Sequence, residues 1–479
     1  NDSTDTITVN ASGVIGASGT VKFTANSSNA GKLAYLGGAG NDVFTGGTTT
    51  DTVTYANGIY LTSADTLAGG TGADTLVINS TNAATILASQ LANVSSFETI
   101  NLDGVTAAAT TAMVLTLSDA VAAANADASS NTLTVTRLNA SAAADDTGTT
   151  KVDGSAAVST KLSLSGALGA DTLIGGSGDD TLAGGTGIDS LVGGAGNDLF
   201  SYIANTDVSN SEVIDGGTGT SDTIRVNGAN LTIDFTNATV SGIEVIDLIG
   251  STGTGRTATF NYSQLAATTK VTESTDNATP ANEYTLIVNA GVGTNDLSGF
   301  TFDANRSYGA TITNAGTNAA FSVNITGTTK ADSITGGNNA DILVGGSGAD
   351  TITGGLGVDS IILTETTSLP DVVKFSEAGT ANVDTLTGFV AGTDIVSLTN
   401  GAFTGGSIEL VTTKTTAIGS AVAANAATVL SVSVDTSPAS QAAVDNHLLF
   451  FNNTTKTSFA AAIGTASITT ADPLSLIHI

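Results

Sequence analysis

Aspartate returns in this 479-residue chain at a fixed interval of nine. Asp171, Asp180, Asp189 and Asp198 make one series, and Asp332, Asp341, Asp350 and Asp359 make a second. Each carboxylate sits in a G-G-x-G-x-D-x-U-x unit, U being a large apolar residue. Gly175-Gly-Ser-Gly-Asp-Asp-Thr-Leu-Ala183, Gly184–Val192 and Gly193–Phe200 follow one another without a gap, and Gly336, Gly345 and Gly354 open the units of the second series. Glycine permits positive φ and lets backbone carbonyls crowd together without Cβ clashes. The carbonyls of Gly175, Gly184, Gly193, Gly336, Gly345 and Gly354, with the aspartates, are hard oxygen donors of the kind that Ca²⁺ gathers in groups of about six to eight.

The spacing also dictates a fold. Two nonapeptides complete one turn of a parallel roll, which puts Asp171 opposite Asp189 and Asp180 opposite Asp198. Adjacent rungs lie about 4.8 Å apart. Two unit charges at that distance repel by about 0.9 kcal/mol in water and about 3.5 kcal/mol at an effective dielectric of 20. The columns oppose their own folding until a divalent cation sits between turns, so calcium-dependent folding is expected. A flexible Gly-rich linker would not hold Asp and an apolar residue in phase over four copies, twice.

Other positions keep the arithmetic less fully. Asp42 and Asp51 are nine apart, as are Asp65 and Asp74, and Gly216-Gly-Thr-Gly-Thr-Ser-Asp222 is a single copy with one extra residue. Gly46-Gly-Thr-Thr-Thr-Asp51 lacks the fourth-position glycine, so for Asp42 and Asp51 a plain β-turn role fits as well as a calcium site. Asn339 replaces that glycine in the Gly336 unit and is tolerated because Asn accepts the left-handed region.

The elements that must carry these corners are strands. The U residues (Leu173, Leu182, Leu191, Phe200; Ile334, Leu343, Ile352, Ile361) fill a thin core, and Asn131-Thr-Leu-Thr-Val-Thr136 alternates apolar and polar side chains. Between the arrays, Val94-Ser-Ser-Phe-Glu-Thr-Ile-Asn-Leu102 recurs as Val240-Ser-Gly-Ile-Glu-Val-Ile-Asp-Leu248. Long internal periods of this kind point to stacked β architecture. Helices are few and short: Ser118–Ala124, with Ser118 as N-cap, and Ala83–Leu91 are the candidates. The expected fold is all-β, with parallel β-roll segments alternating with strand-rich segments of β-solenoid or β-sandwich type. Six regions are expected: N-terminal strands with degenerate repeats (1–79), a strand-rich segment (80–168), the first array (169–224), a second strand-rich segment (225–327), the second array (328–364) and a C-terminal β domain (365–479).

Charge limits the partners. With 13 Lys+Arg against 43 Asp+Glu the net charge is −30, which excludes nucleic acid for want of a basic footprint and favours metal cations. Cysteine is absent, so neither disulfides nor thiolate metal sites contribute. No stretch reads as a membrane span. The chain opens on Asn1 with no signal peptide and no Met, from which we expect a trimmed or partial N-terminus. Catalytic constellations are also missing: there is no H-E-x-x-H and no G-x-S-x-G, and the two histidines, His447 and His478, lie near the C-terminus. Glu98 and Glu244 are the tempting carboxylates for glycoside chemistry. Their recurrence at equivalent repeat positions favours a structural role, and the chain reads as a building block, not an enzyme. An adhesin or ice-binding face is a further alternative, against which no regular Thr-x-Thr ladder runs through the arrays.

The nonapeptides resemble the RTX (repeats-in-toxin) family. That resemblance implies a parallel β-roll, extracellular calcium binding and export through type I secretion machinery. Val383-Asp-Thr-Leu-Thr-Gly-Phe-Val-Ala-Gly-Thr-Asp-Ile-Val396 looks like the element that commonly follows RTX arrays, and Leu474-Ser-Leu-Ile-His-Ile479 resembles an uncleaved secretion signal, an ordinary terminal strand being the alternative. The alternation of arrays with Thr/Ala/Ser-rich strands, and the repeated (F/I)-E-x-I-x-L element, look like RTX-bearing S-layer proteins of Gram-negative bacteria. This implies a calcium-dependent self-assembled lattice on the cell surface with lipopolysaccharide as the anchoring partner, although no separate anchoring domain is recognisable before the first array. An RTX adhesin or biofilm-matrix protein is the alternative, and the C-terminal part of an RTX exoenzyme a third.

Overall fold

The computed structural model describes residues 6–14, 19–25, 31–80, 83–104, 112–138, 148–228, 230–249, 255–272, 284–302, 308–314, 322–363, 369–375, 384–389 and 393–398, with five short strands beyond 406. The chain divides into two compact units, 1–256 with 273–277 and 257–272 with 278–479.

The first unit is a parallel β-solenoid. Its longest sheet takes one strand from each coil, among them Thr52–Tyr55, Thr75–Ser80, Thr99–Gly104, Thr132–Leu138, Lys161–Leu168, Thr181–Thr186, Leu199–Tyr202 and Thr223–Asn227. All these strands pair in parallel, so their inward side chains stack into one column: Val53, Leu76, Ile100, Val135, Leu164, Leu182, Phe200 and Ile224. A facing sheet contributes Ile86, Leu115, Val152, Leu173, Leu191 and Ile214 in the same way. Every one of these side chains is buried. The core is two side chains thick, and alternation along each short strand is what builds it.

Coil length varies. Thr75 pairs with Thr99, 24 residues on, and Thr99 with Thr134, 35 on, whereas Ser163 pairs with Thr181 and Thr181 with Leu199, each 18 on. A parallel sheet of Thr20–Thr24, Asn41–Thr45, Thr66–Ala68 and Val94–Ser95 takes the second strand of each of the first three coils and gives the coil of Thr75–Ser80 a third side, since that coil also places Ala84–Ile86 in the facing sheet. The helix Asp119–Asn125 follows on that side, capped by Ser118, whose hydroxyl accepts from the Val121 amide, and tied to the coil before by Ser96 N–H donating to the Ala124 carbonyl. In the 18-residue coils of the array only two sides remain.

The strand-rich segment at 80–168 therefore takes the solenoid form of the two that its sequence allowed. Ala83–Leu91 is not a helix. Ala84–Ile86 is a strand paired with Met113–Leu115, because the β-branched Thr85 and Ile86 sit on a pleated surface and a helix there would leave Ile86 outside the core.

The second unit repeats the design. Val288, Ile312, Ile334, Ile352 and Val373 form one inward column, and Ile325, Leu343, Ile361 and Leu386 form the other. Beyond residue 406 strands pair antiparallel, as in Ser407–Thr412 with Val429–Asp435. Leu474–Leu476 and Ile479 of the expected secretion signal lie outside the described residues, and Ile477–His478 form a short strand. Among the described residues, no helix is long and apolar enough to cross a membrane.

The thin core sets a testable cost. Leu182→Ala removes most of a fully buried side chain from a core only two side chains thick, and is expected to lower stability by about 3 kcal/mol; denaturant melts in saturating calcium measure this.

Candidate calcium corners

The aspartates meet their partners one coil away through the backbone. Asp171 N–H donates to Asp189 Oδ1 at 2.8 Å, and Asp180 N–H to Asp198 Oδ1 at 2.8 Å. The second array repeats this, Asp332 to Asp350 and Asp341 to Asp359, both at 2.8 Å. One carboxylate oxygen of each aspartate thus holds the amide of the aspartate before it. Columns extend past the nonapeptides: Asp198 N–H donates to Asp222, Asp222 to Glu244 Oε2, Asp350 to Asp371, Asp371 to Asp394 and Asp359 to Asp384.

The other oxygen faces the glycine corner. Among the described residues, Oδ2 of Asp74, Asp171, Asp189, Asp198 and Asp222 is buried and meets no hydrogen-bond donor. A Cβ built on Gly166 would collide with Asp171 Oδ2 and the Gly184 carbonyl, and one on Gly175 with Asp180 Oδ2 and the Gly193 carbonyl. Gly327 stands in this relation to Asp332 and the Gly345 carbonyl, and Gly336 to Asp341 and the Gly354 carbonyl. Gly184, Gly193, Gly345 and Gly354 crowd Asp189, Asp198, Asp350 and Asp359 likewise. At Gly166, Gly175, Gly193, Gly327 and Gly336 the missing side chain leaves a space walled by a carboxylate oxygen and a carbonyl oxygen from the next coil, and there Oδ2 of Asp180 also accepts from Gly176 N–H and Oδ2 of Asp332 from the Thr328 N–H and hydroxyl. Among the described residues no three acidic or histidine side chains converge, so a cation at a corner would have to draw most of its oxygens from backbone carbonyls. Hard oxygens of this mixture fit Ca²⁺, which would neutralise the buried carboxylates and tie neighbouring coils together.

Burial without a cation raises the proton affinity of these acids. Desolvation is the leading cause at each. It pushes Asp74, Asp171 and Asp198 up to about 7 and Asp180 up to about 6, against the lowering effect of backbone amides. Asp51, Asp65, Asp189, Asp222 and Asp341 are raised for the same first reason.

The N-terminal aspartates divide. Asp74 has the corner geometry, with the Gly69 Cβ position against its Oδ2. Asp51 Oδ1 accepts from Leu33 N–H and its Oδ2 from Gly47 N–H while also lining the corner at Gly46. Asp42 instead accepts from the Tyr35 hydroxyl at 2.8 Å, from Gly38 N–H and from the Tyr55 hydroxyl, and Asp65 from Asp42 N–H, Thr62 N–H and the Thr62 hydroxyl. These two carboxylates hold turns with both oxygens engaged by the chain.

Five positions went unread in the sequence as ladder members: Glu98, Glu244, Asp371, Asp384 and Asp394. Glu98 Oε2 accepts from Asp74 N–H at 2.8 Å, as Glu244 does from Asp222, so the recurring (F/I)-E element ends a column with a longer acid. The signal was the recurrence itself. Glu212, buried against the Tyr202 hydroxyl at 3.0 Å and pushed up to about 8 by burial, had none.

Fold and corners together define a parallel β-roll whose glycine turns gather hard oxygens of the kind that suit calcium. Four segments, 35–59, 62–77, 164–201 and 325–361, match the pattern of the RTX calcium-binding nonapeptide repeat, which places both arrays and the N-terminal set among repeats of that family. Comparison with curated proteins gives no match, nor does comparison with solved structures.

Two expectations follow. Gly175→Ala puts a methyl group into one corner and should lower the calcium count measured by native mass spectrometry while leaving the strands in place. Without metal, the folded chain holds more protons than the unfolded chain between the ordinary aspartate value and about 7, so its stability falls as pH rises through that window. Melts in EGTA should therefore be higher at pH 5 than at pH 8, and added calcium, which binds the deprotonated carboxylates, should reverse that order.

Proposed function

We propose that this chain is an exported structural protein of a bacterial surface, non-enzymatic, which assembles side by side with copies of itself once calcium has folded its coils. The observation that carries the reading is a pair of uncharged outward columns on a chain of net charge −30. Outward residues of the long sheet in the first unit run in two columns. One is Thr8, Ala34, Thr52, Thr75, Thr99, Thr134, Ser163 and Thr181; the other is Asn10, Leu36, Thr54, Val77, Asn101, Thr136, Ser165 and Ala183. These two columns carry no charge over eight rungs, although Lys32 and Lys161 stand outward at the starts of their strands, and further along the sheet Arg225 pairs with Asp247 at 2.9 Å.

An acidic chain approaches its own copy with least repulsion across such a face. Two copies also share the rung spacing of about 4.8 Å, so hydroxyl and methyl rows register along the whole contact. Eight rungs make a strip about 34 Å long and two side chains wide, a small contact beside the ~800 Å² per partner of a standard stable interface. That favours a contact repeated across a lattice over an isolated dimer. The ladder aspartates are about 1% exposed, so the calcium they hold folds the coil and does not bridge neighbours. Export by type I secretion is consistent with a chain whose buried carboxylates keep it open where calcium is scarce. Lipopolysaccharide is the proposed anchor on the cell.

Electron microscopy with calcium and with EGTA tests the reading. Ordered sheets or filaments are expected with calcium, dispersing on chelation, and Thr75→Lys with Thr134→Lys should give calcium-loaded, folded but unassembled chains. Calcium-loaded wild-type protein that stays monomeric at all concentrations would refute assembly and favour an adhesin.

A further inference from the structure

We propose that Arg137 is a resident counter-ion, its guanidinium filling from within the chain the cation position that precedes the Asp171–Asp189 column. The inference rests on the calcium reading of the corners and does not depend on assembly. Arg137 lies on the inward side of the strand Thr132–Leu138, opposite Leu102 of the coil before, and is 3% exposed. A cation so deep in an apolar core is costly unless it meets its own partners.

Register shows what Arg137 replaces. Thr136 pairs with Ser165 and Ser165 with Ala183, so the next residue in each coil is Arg137, then Gly166, then Gly184. Gly166 and Gly184 are corner glycines, their absent Cβ atoms facing Oδ2 of Asp171 and Asp189. The acidic position changes with it. Thr150 N–H donates to Asp171 Oδ1 just as Asp171 N–H donates to Asp189 Oδ1, so Thr150 stands one coil earlier where the aspartates stand later. The pair Gly166 and Asp171, repeated as Gly184 and Asp189, is Arg137 and Thr150 in the first coil.

The two are in contact. Arg137 Nη1 donates to the Thr150 hydroxyl at 3.2 Å and to the Thr149 carbonyl at 3.1 Å. These are a side-chain oxygen and a carbonyl oxygen, the donor types that the later corners present. The guanidinium charge also favours the ionised form of Asp171, partly offsetting the burial that raises it. Exchanging glycine for arginine and aspartate for threonine takes the pair's charge from −1 to +1, a difference of two, the charge of one calcium ion. The column's first coil therefore has its cation covalently attached and closes without metal, giving the following 18-residue coils a formed edge to add to.

Counting calcium on the full chain tests this. Native mass spectrometry of wild type fixes the reference number, and zero there would sink the calcium reading itself. Arg137→Gly with Thr150→Asp restores the repeat and should add one calcium ion to that number. Arg137→Met should leave the number unchanged, lower the melting temperature by several degrees in saturating calcium, and resist rescue by further calcium; Arg137→Lys should recover part of the loss. The inference is overturned by a folded double variant that binds no additional calcium. It is equally overturned if Arg137→Met melts with wild type both in EGTA and in calcium, a comparison that decides the matter should the double variant not fold.

Discussion

A carboxylate oxygen accepting the amide of the aspartate one coil earlier is the interaction on which this architecture depends. It recurs from Leu33 to Glu98, from Leu162 to Glu244, and through both columns of the second unit as far as Asp384 and Asp394. The bond fixes register between coils whose lengths differ by many residues, because each amide has one acceptor at the right height. It also fixes the carboxylate, which leaves its second oxygen pointing at the corner. An unmet buried acceptor costs about 1–3 kcal/mol, and a column of them makes the fold conditional on whatever cation fills the corners.

The ends of the columns show how the chain handles that condition locally. Glu98 and Glu244 close columns with an acid one methylene longer, reaching back from a turn that is no longer a nonapeptide. Asp42 and Asp65 pass their oxygens to tyrosine hydroxyls and to Thr62, so that part of the N-terminal roll is held by the chain's own donors. Arg137 brings the cation itself. Metal, neutral donor and resident cation are three answers to the same electrostatic demand, arranged along one sheet.

The nonapeptide period made much of this legible. The 18-residue pairing, the parallel strands, the inward U residues and the aspartate columns of both arrays stand where spacing put them. What could not be read is set by variable coil length. The hydroxyl columns are assembled from one strand per coil, with intervals from 18 to 35 residues, so Thr75, Thr99 and Thr134 share no local motif even though they neighbour one another in space. Asp371, Asp384 and Asp394 escaped for the same reason, lying 21, 25 and 23 residues from their donors. Ala83–Leu91 misled because alanines favour helix in isolation, whereas burial of Ile86 beside Leu115 decided for strand.

The change from three-sided to two-sided coils has a mechanical meaning. Upstream, the coil of Thr75–Ser80 runs through three sheets and the coil after it carries the helix Asp119–Asn125, packing that needs no metal. The 18-residue coils lack that brace and keep only their ladder and their corners. Under tension or ion depletion the first unit should part at the array while the braced segment stays wound, making the array a fuse whose rating is set by the surrounding medium.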